Sequence, residues 1–104
     1  MRQLGYLEET VLLIIMKIGT DAYGFLVSEE YKKHTGKGIS ISAIHSVLSR
    51  LEKKGLIVSE MGGATDERGG RRKRLFRPTD EGRVVIQEIK ASRVALWSQI
   101  PGLS

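Results

Sequence analysis

Apolar positions recur mainly at three- and four-residue intervals, the period of helices, and give way after Gly55 to a stretch that reads as strand. The first apolar run predicts a helix from about Leu4 to Ile18, stopping at Gly19, with Glu8 and Glu9 in its early turns complementing the helix dipole. Leu7, Val11, Leu12, Leu13, Ile14, Ile15, Met16 and Ile18 cover nearly its whole circumference, and a helix apolar all round is buried on more than one side. In a chain of 104 residues this predicts a subunit interface. A second helix is expected from about Ala22 to His34, capped by Asp21, with Tyr23, Leu26, Val27 and Tyr31 at helical spacing and Gly36 and Gly38 ending it.

The third helix has the clearest period. Ser40 is its expected N-cap and Gly55 follows its last residue, Lys54. Ile41, Ile44, Val47, Leu48 and Leu51 make the expected core stripe, while Ser42, His45, Ser46, Ser49, Arg50 and Lys53 occupy the other face, with no acid before Glu52. Leu56 to Met61 then reads as a strand, Gly62 to Gly70 as a glycine-rich tip, and Arg72 to Arg77 as the returning strand. Thr79, followed by Asp80 and Glu81, starts a last helix running to about Gln99, where Pro101 and Gly102 stop it. Its apolar residues Val85, Ile86, Ile89, Leu96, Trp97 and Ile100 fall largely on one side, interrupted by Arg93, and need another surface to rest on.

Three helices, a hairpin and a helix is the order of a winged helix-turn-helix, a mostly α (α+β) fold in which the third helix enters the major groove. The reading is one domain over residues 1–104, with the winged helix in 1–78 and a long dimerisation helix in 79–100.

Charge sharpens this picture. The formal net charge is +5, yet six of the 17 basic residues (Arg68, Arg71, Arg72, Lys73, Arg74 and Arg77) lie in one ten-residue segment without an acid. The rest of the chain holds 11 basic and 12 acidic residues, so the whole excess sits on the hairpin, as an electrostatic footprint for a polyanion does. Gly69 and Gly70 let the backbone approach such a partner closely. Neighbours in a strand face opposite ways, so the tip-side residues Arg68, Arg71 and Arg72 are the expected phosphate contacts, with Lys73 beside them. On the third helix Ser42, His45, Ser46 and Ser49 face base edges or nearby phosphates, with Ser40 at its start and Arg50 closer to the backbone. Tyr23 offers a hydroxyl to a phosphate but equally suits a core position.

Other chemistries find little support. The absence of cysteine removes disulfides, thiolate metal sites and thiol nucleophiles, and His34 and His45 are the only histidines, without the spacing of a catalytic zinc site. Residues 62–70 lack the Gly-Lys-Ser/Thr ending of a nucleotide-binding loop, and no triad or acid pair with supporting spacing appears, so neither enzyme nor cofactor is expected. The run Val11 to Met16 is far shorter than the roughly 20 apolar residues of a membrane span, and no small-residue cleavage site follows it. A cytoplasmic location without membrane contact is the expectation. The alternative to DNA binding is a winged-helix module whose basic wing docks on a protein or RNA.

Taken together, Leu4-Gly5-Tyr6-Leu7-Glu8-Glu9, Ala22-Tyr23-Gly24, Ser42-Ala43-Ile44, Leu48 to Leu56, Gly69 to Arg74 and Pro78-Thr79-Asp80-Glu81-Gly82 resemble the PadR family of regulators, over about Leu4 to Gly82. The resemblance implies a dimeric repressor of double-stranded DNA that binds an inverted repeat with ATGT and ACAT half-sites, joined through its first and last helices. Leu7, Val11, Ile14, Ile89, Leu96, Trp97 and Ile100 are the expected interface residues. Some relatives release DNA on binding a phenolic acid or a hydrophobic drug, which implies a small hydrophobic effector, with Trp97 either lining its pocket or packing at the interface. One terminal helix places the chain with the short subgroup. At His45 the family usually has tyrosine, a departure that leaves open both a DNA contact and a solvated side chain at this position.

Overall fold

The computed structural model describes residues 3–62 and 72–103. Arg68 and Arg71, and most of the expected glycine-rich tip, lie outside the described residues. The elements are α1 (Tyr6–Ile18), α2 (Gly24–Thr35), α3 (Ile41–Lys53), β1 (Ile57–Met61), β2 (Arg74–Pro78) and α4 (Asp80–Ser98), in the expected order.

α1 is the central element, packed against α2, α3, β2 and α4. Val11, Leu12, Ile14 and Ile15 are therefore buried within one protomer, together with Val27 of α2 and Ile44, Val47, Leu48 and Leu51 of α3. Most of the apolar circumference of α1, expected to mark a subunit interface, is thus used within the protomer. The neighbouring helices already cover it, and Val11, with 0% exposure, has no surface left to offer a partner. On α1 only Tyr6 and Leu13, at 45% exposure, remain open as large apolar side chains.

α1 starts two residues later than its periodicity predicts, because Gly5 takes the N-cap position and its N–H donates to the Glu8 carboxylate at 3.1 Å. α2 likewise begins at Gly24 with Tyr23 as N-cap, not at Ala22 after Asp21. Ala22 is held elsewhere: its carbonyl accepts from the Phe76 N–H at 2.7 Å, an isolated bridge that makes residue 22 a third, one-residue strand beside β2. α2 ends at Gly36, whose left-handed φ of 75° turns its N–H onto the Lys32 carbonyl at 2.8 Å.

β1 and β2 form an antiparallel hairpin in the register Ile57 with Pro78, Ser59 with Phe76 and Met61 with Arg74. Ile57 and Phe76 turn into the core and fasten the hairpin to the helices. At its base the Thr79 hydroxyl donates to the Gly55 carbonyl at 2.8 Å and accepts from the Gly82 N–H at 3.0 Å, so one side chain caps α4 and holds the turn after α3. Val85 and Ile89 close the core from α4, and beyond Ile89 every described residue of the chain is exposed. The protein is consequently elongated, 58 × 29 × 20 Å, with the distal half of α4 leading away from the body.

Candidate nucleic-acid interface

α3 is amphipathic, and its core stripe of Ile44, Val47, Leu48 and Leu51 fixes which face points outward. Ser42, His45, Ser46, Ser49, Arg50 and Lys53 are all exposed, as expected. Ser40 is the N-cap: its Oγ accepts from the Ala43 N–H at 3.1 Å and lies 3.4 Å from Ser42 Oγ. Its first duty is thus to start the helix, which leaves it at the edge of the outward face. Ile41, expected in the core stripe, is instead 43% exposed at the first helical position, where no element among the described residues covers it.

His45 lies where α3 meets the start of α2. A methyl group placed on Gly24 would come within 3.0 Å of the imidazole Cε1, so the missing side chain at residue 24 makes room for the ring. Tyr23, immediately before, is half-buried, and the Lys73 ammonium stands 4.3 Å from its ring centroid. A cation over an aromatic face at this distance is attracted by the ring quadrupole. The contact ties the residues leading into β2 to the entry of α2, next to the Ala22–Phe76 bridge.

The basic residues of the hairpin divide by what they touch. Arg74 donates to Ser59 Oγ at 3.0 Å, Arg77 pairs with Glu60 at 3.1 Å, and Lys73 covers Tyr23. Arg72 is exposed and makes no hydrogen bond or ion pair among the described residues. On α3, Arg50 Nε lies 3.7 Å from a Glu8 carboxylate oxygen, so part of its charge is answered within the protein.

Among the described residues Glu8 is the one buried charge, and it supports this surface. Its carboxylate lies at the start of α1 and receives Lys54 Nζ at 2.8 and 2.9 Å, which fixes the end of α3. Burial alone would raise its pKa, but the Lys54 hydrogen bond, the Gly5 N–H and the charges of Lys54 and Arg50 outweigh burial and hold it below the usual carboxylate value.

The expected dimer residues separate into two groups. Val11, Ile14 and Ile89 belong to the protomer core and Leu7 is half-buried against it, whereas Leu96, Trp97 and Ile100 are exposed on the projecting part of α4. The sequence reading missed Val94 and Leu103 as exposed apolar neighbours. For Val94 the signal was present, since it lies three residues before Trp97 and shares its side of the helix. Lys90, Arg93, Val94, Trp97, Ser98 and Leu103 line an open groove of about 480 Å³. No helix among the described residues is long and apolar enough to cross a membrane.

A profile of the transcriptional regulator PadR-like family matches residues 11–88. An uncharacterized protein of Lysinibacillus sphaericus is 31% identical over 98 residues, spanning 92% of this chain and 82% of its own. The crystal structure of a PadR-like transcriptional regulator from Bacillus cereus is 28% identical, with a TM-score of 0.70 over 86% of this chain and 82% of that one. Bacillus subtilis PadR, solved in complex with operator DNA, shares the fold at 21% identity and a TM-score of 0.66, over 81% of this chain and 47% of that one.

Proposed function

Because the chain belongs to the PadR-like family of transcriptional regulators, we propose that it is a cytoplasmic repressor that binds an inverted repeat in double-stranded DNA as a homodimer. The observation that carries this reading is the outward face of α3. There Ser42, Ser46 and Ser49 stand exposed with His45, Arg50 and Lys53 around them, and no acid precedes Glu52. Small hydroxyls can approach base edges or phosphates without steric conflict, and flanking cations hold the backbone on either side. Complex formation between Bacillus subtilis PadR and its operator supports the same use of the shared fold.

In this reading the hairpin supplies sequence-independent attraction through Arg68, Arg71 and Arg72, and α3 supplies choice. Tyr23 and Lys73 act as a pair at the wing base. Two protomers joined through α4 present two α3 helices to half-sites about one helical turn, roughly 34 Å, apart. The groove beside Trp97 is surface for the second protomer, and a hydrophobic effector would enter there.

Selection of duplexes by the purified protein from a random library tests the proposal. A palindromic consensus is the expected result; failure to enrich any duplex, with equal binding to structured RNA, would overturn it. Titrating the selected duplex against salt tests the wing. Arg71→Ala with Arg72→Ala should weaken all duplexes alike and lower the log-log salt slope by about two.

A further inference from the structure

We infer that Ile41 is a specificity-determining residue that reads the C5-methyl group of a thymine in each half-site. The inference rests on the DNA-binding reading and adds to it a defined chemical contact.

Among the described residues of α3, Ile41 is the only large apolar side chain that is exposed. The other four, Ile44, Val47, Leu48 and Leu51, are each at most 1% exposed. An aliphatic side chain 43% open to water gains from any apolar surface that meets it, and its place in the fold decides which surface that is. Ile41 occupies the first position of the helix, and the first turn of a recognition helix is the part that meets base edges. Phe25, exposed at the start of α2, lies on a helix that in this architecture crosses the backbone and does not enter the groove.

The two residues flanking Ile41 strengthen the argument. Ser40 Oγ accepts from the Ala43 N–H and lies 3.4 Å from Ser42 Oγ, so Ser40 is engaged with the cap while Ser42 stays exposed beside Ile41. What the turn presents outward is therefore an aliphatic group between two small side chains. In the major groove the one apolar feature of a base edge is the thymine methyl, and contact with it is the apolar form of direct readout. No charge stands in the first turn of α3 to draw the side chain toward a phosphate instead.

The test uses the intact protein and the duplex it selects. Each thymine of that duplex is replaced in turn by deoxyuridine, which removes only the methyl group. The expected result is a loss of about fourfold in affinity at one position per half-site, the worth of one buried methyl, and near-neutral replacement elsewhere. Ile41→Ala should bind the thymine and uracil duplexes equally, whereas Ile41→Val should keep most of the difference. The side chain is exposed, so these variants should melt as the wild type does. A selected duplex whose every thymine tolerates uracil would overturn the assignment and leave DNA binding standing. So would an Ile41→Ala protein that keeps the full uracil penalty. Absence of any selected duplex would sink the DNA-binding reading itself, and this inference with it.

Discussion

Gly82 illustrates how one missing carbon positions an element. It lies in the first turns of α4, where replacing glycine by alanine ordinarily stabilises a helix by about 1 kcal/mol. Here a β-carbon would come against the Leu56 carbonyl oxygen, backbone that cannot rotate away as a side chain tip can. Gly82→Ala should therefore lower stability by about 3 kcal/mol despite its better helix propensity, read as a reduced urea midpoint with an unchanged slope. A neutral or stabilised variant would mean that α4 can lift from the turn after α3. Gly24→Ala gives the contrasting case, because what it meets at 3.0 Å is the imidazole of His45, the end of a rotatable side chain. That substitution should leave the melting temperature near the wild type and turn His45 aside. Its effect should appear as a changed ranking of operator variants.

At the scale of elements, α3 is held by α1 and α2 together, and the only buried charge in its contact with α1 is Glu8. Glu8→Gln keeps the shape but loses the charge that holds Lys54 and faces Arg50, and should cost about 1–2 kcal/mol at neutral pH. The folded protein holds this carboxyl below its unfolded value of about 4.3, so the unfolded chain takes up the proton first as pH falls. The stabilisation is accordingly present in full above that value and disappears as pH drops through the lower folded one. Wild type and Glu8→Gln should converge in chemical-denaturation stability at the acid end, and a constant gap down to that end would contradict the linkage. The wing base is held more lightly. A double-mutant cycle between Tyr23→Leu and Lys73→Met should give a coupling of about 0.5–1 kcal/mol, with Tyr23→Phe behaving as wild type. Much of this layout was legible in the sequence. α3 announced itself through residues 44, 47, 48 and 51 and through Ser40, and α4 through Thr79, because these signals are local. The start of α2 was not, since Ala22 is held by the amide of Phe76, 54 positions away, and no local pattern reports such a bond. Ile41 was misread for a related reason: periodicity gives the face of a helix, but whether a neighbour crosses its first turn is a property of the packing.

At the scale of the molecule, the stripe that begins on α4 with buried Val85 and Ile89 continues past the end of its own core. Leu96, at 58% exposure, follows on the same side, with Trp97 on the adjoining one, Val94 on the far one and Ile100 just past the helix end, and none of the described residues of the protomer covers them. Burying such side chains is worth about 1.5–3 kcal/mol each, too much to leave in water along the exposed half of one helix. A second copy offers the same stripe by symmetry, and a twofold axis lets each residue face its equivalent or a near neighbour. The apolar girth of α1 first suggested an interface there, yet its residues are largely taken up by the protomer, so in the proposed dimer the greater share of the contact would fall to α4. Leu96→Glu should then yield monomer by sedimentation equilibrium, since two symmetry-related charges would enter an apolar contact. Its helical circular dichroism should be retained, because the side chain supports nothing within its own protomer. The monomer should still bind a half-site, but without the second α3 helix it should lose the preference for paired sites at one-turn spacing. A Leu96→Glu protein that stays dimeric and keeps that preference would place the interface elsewhere, on the exposed side of α1 around Tyr6 and Leu13.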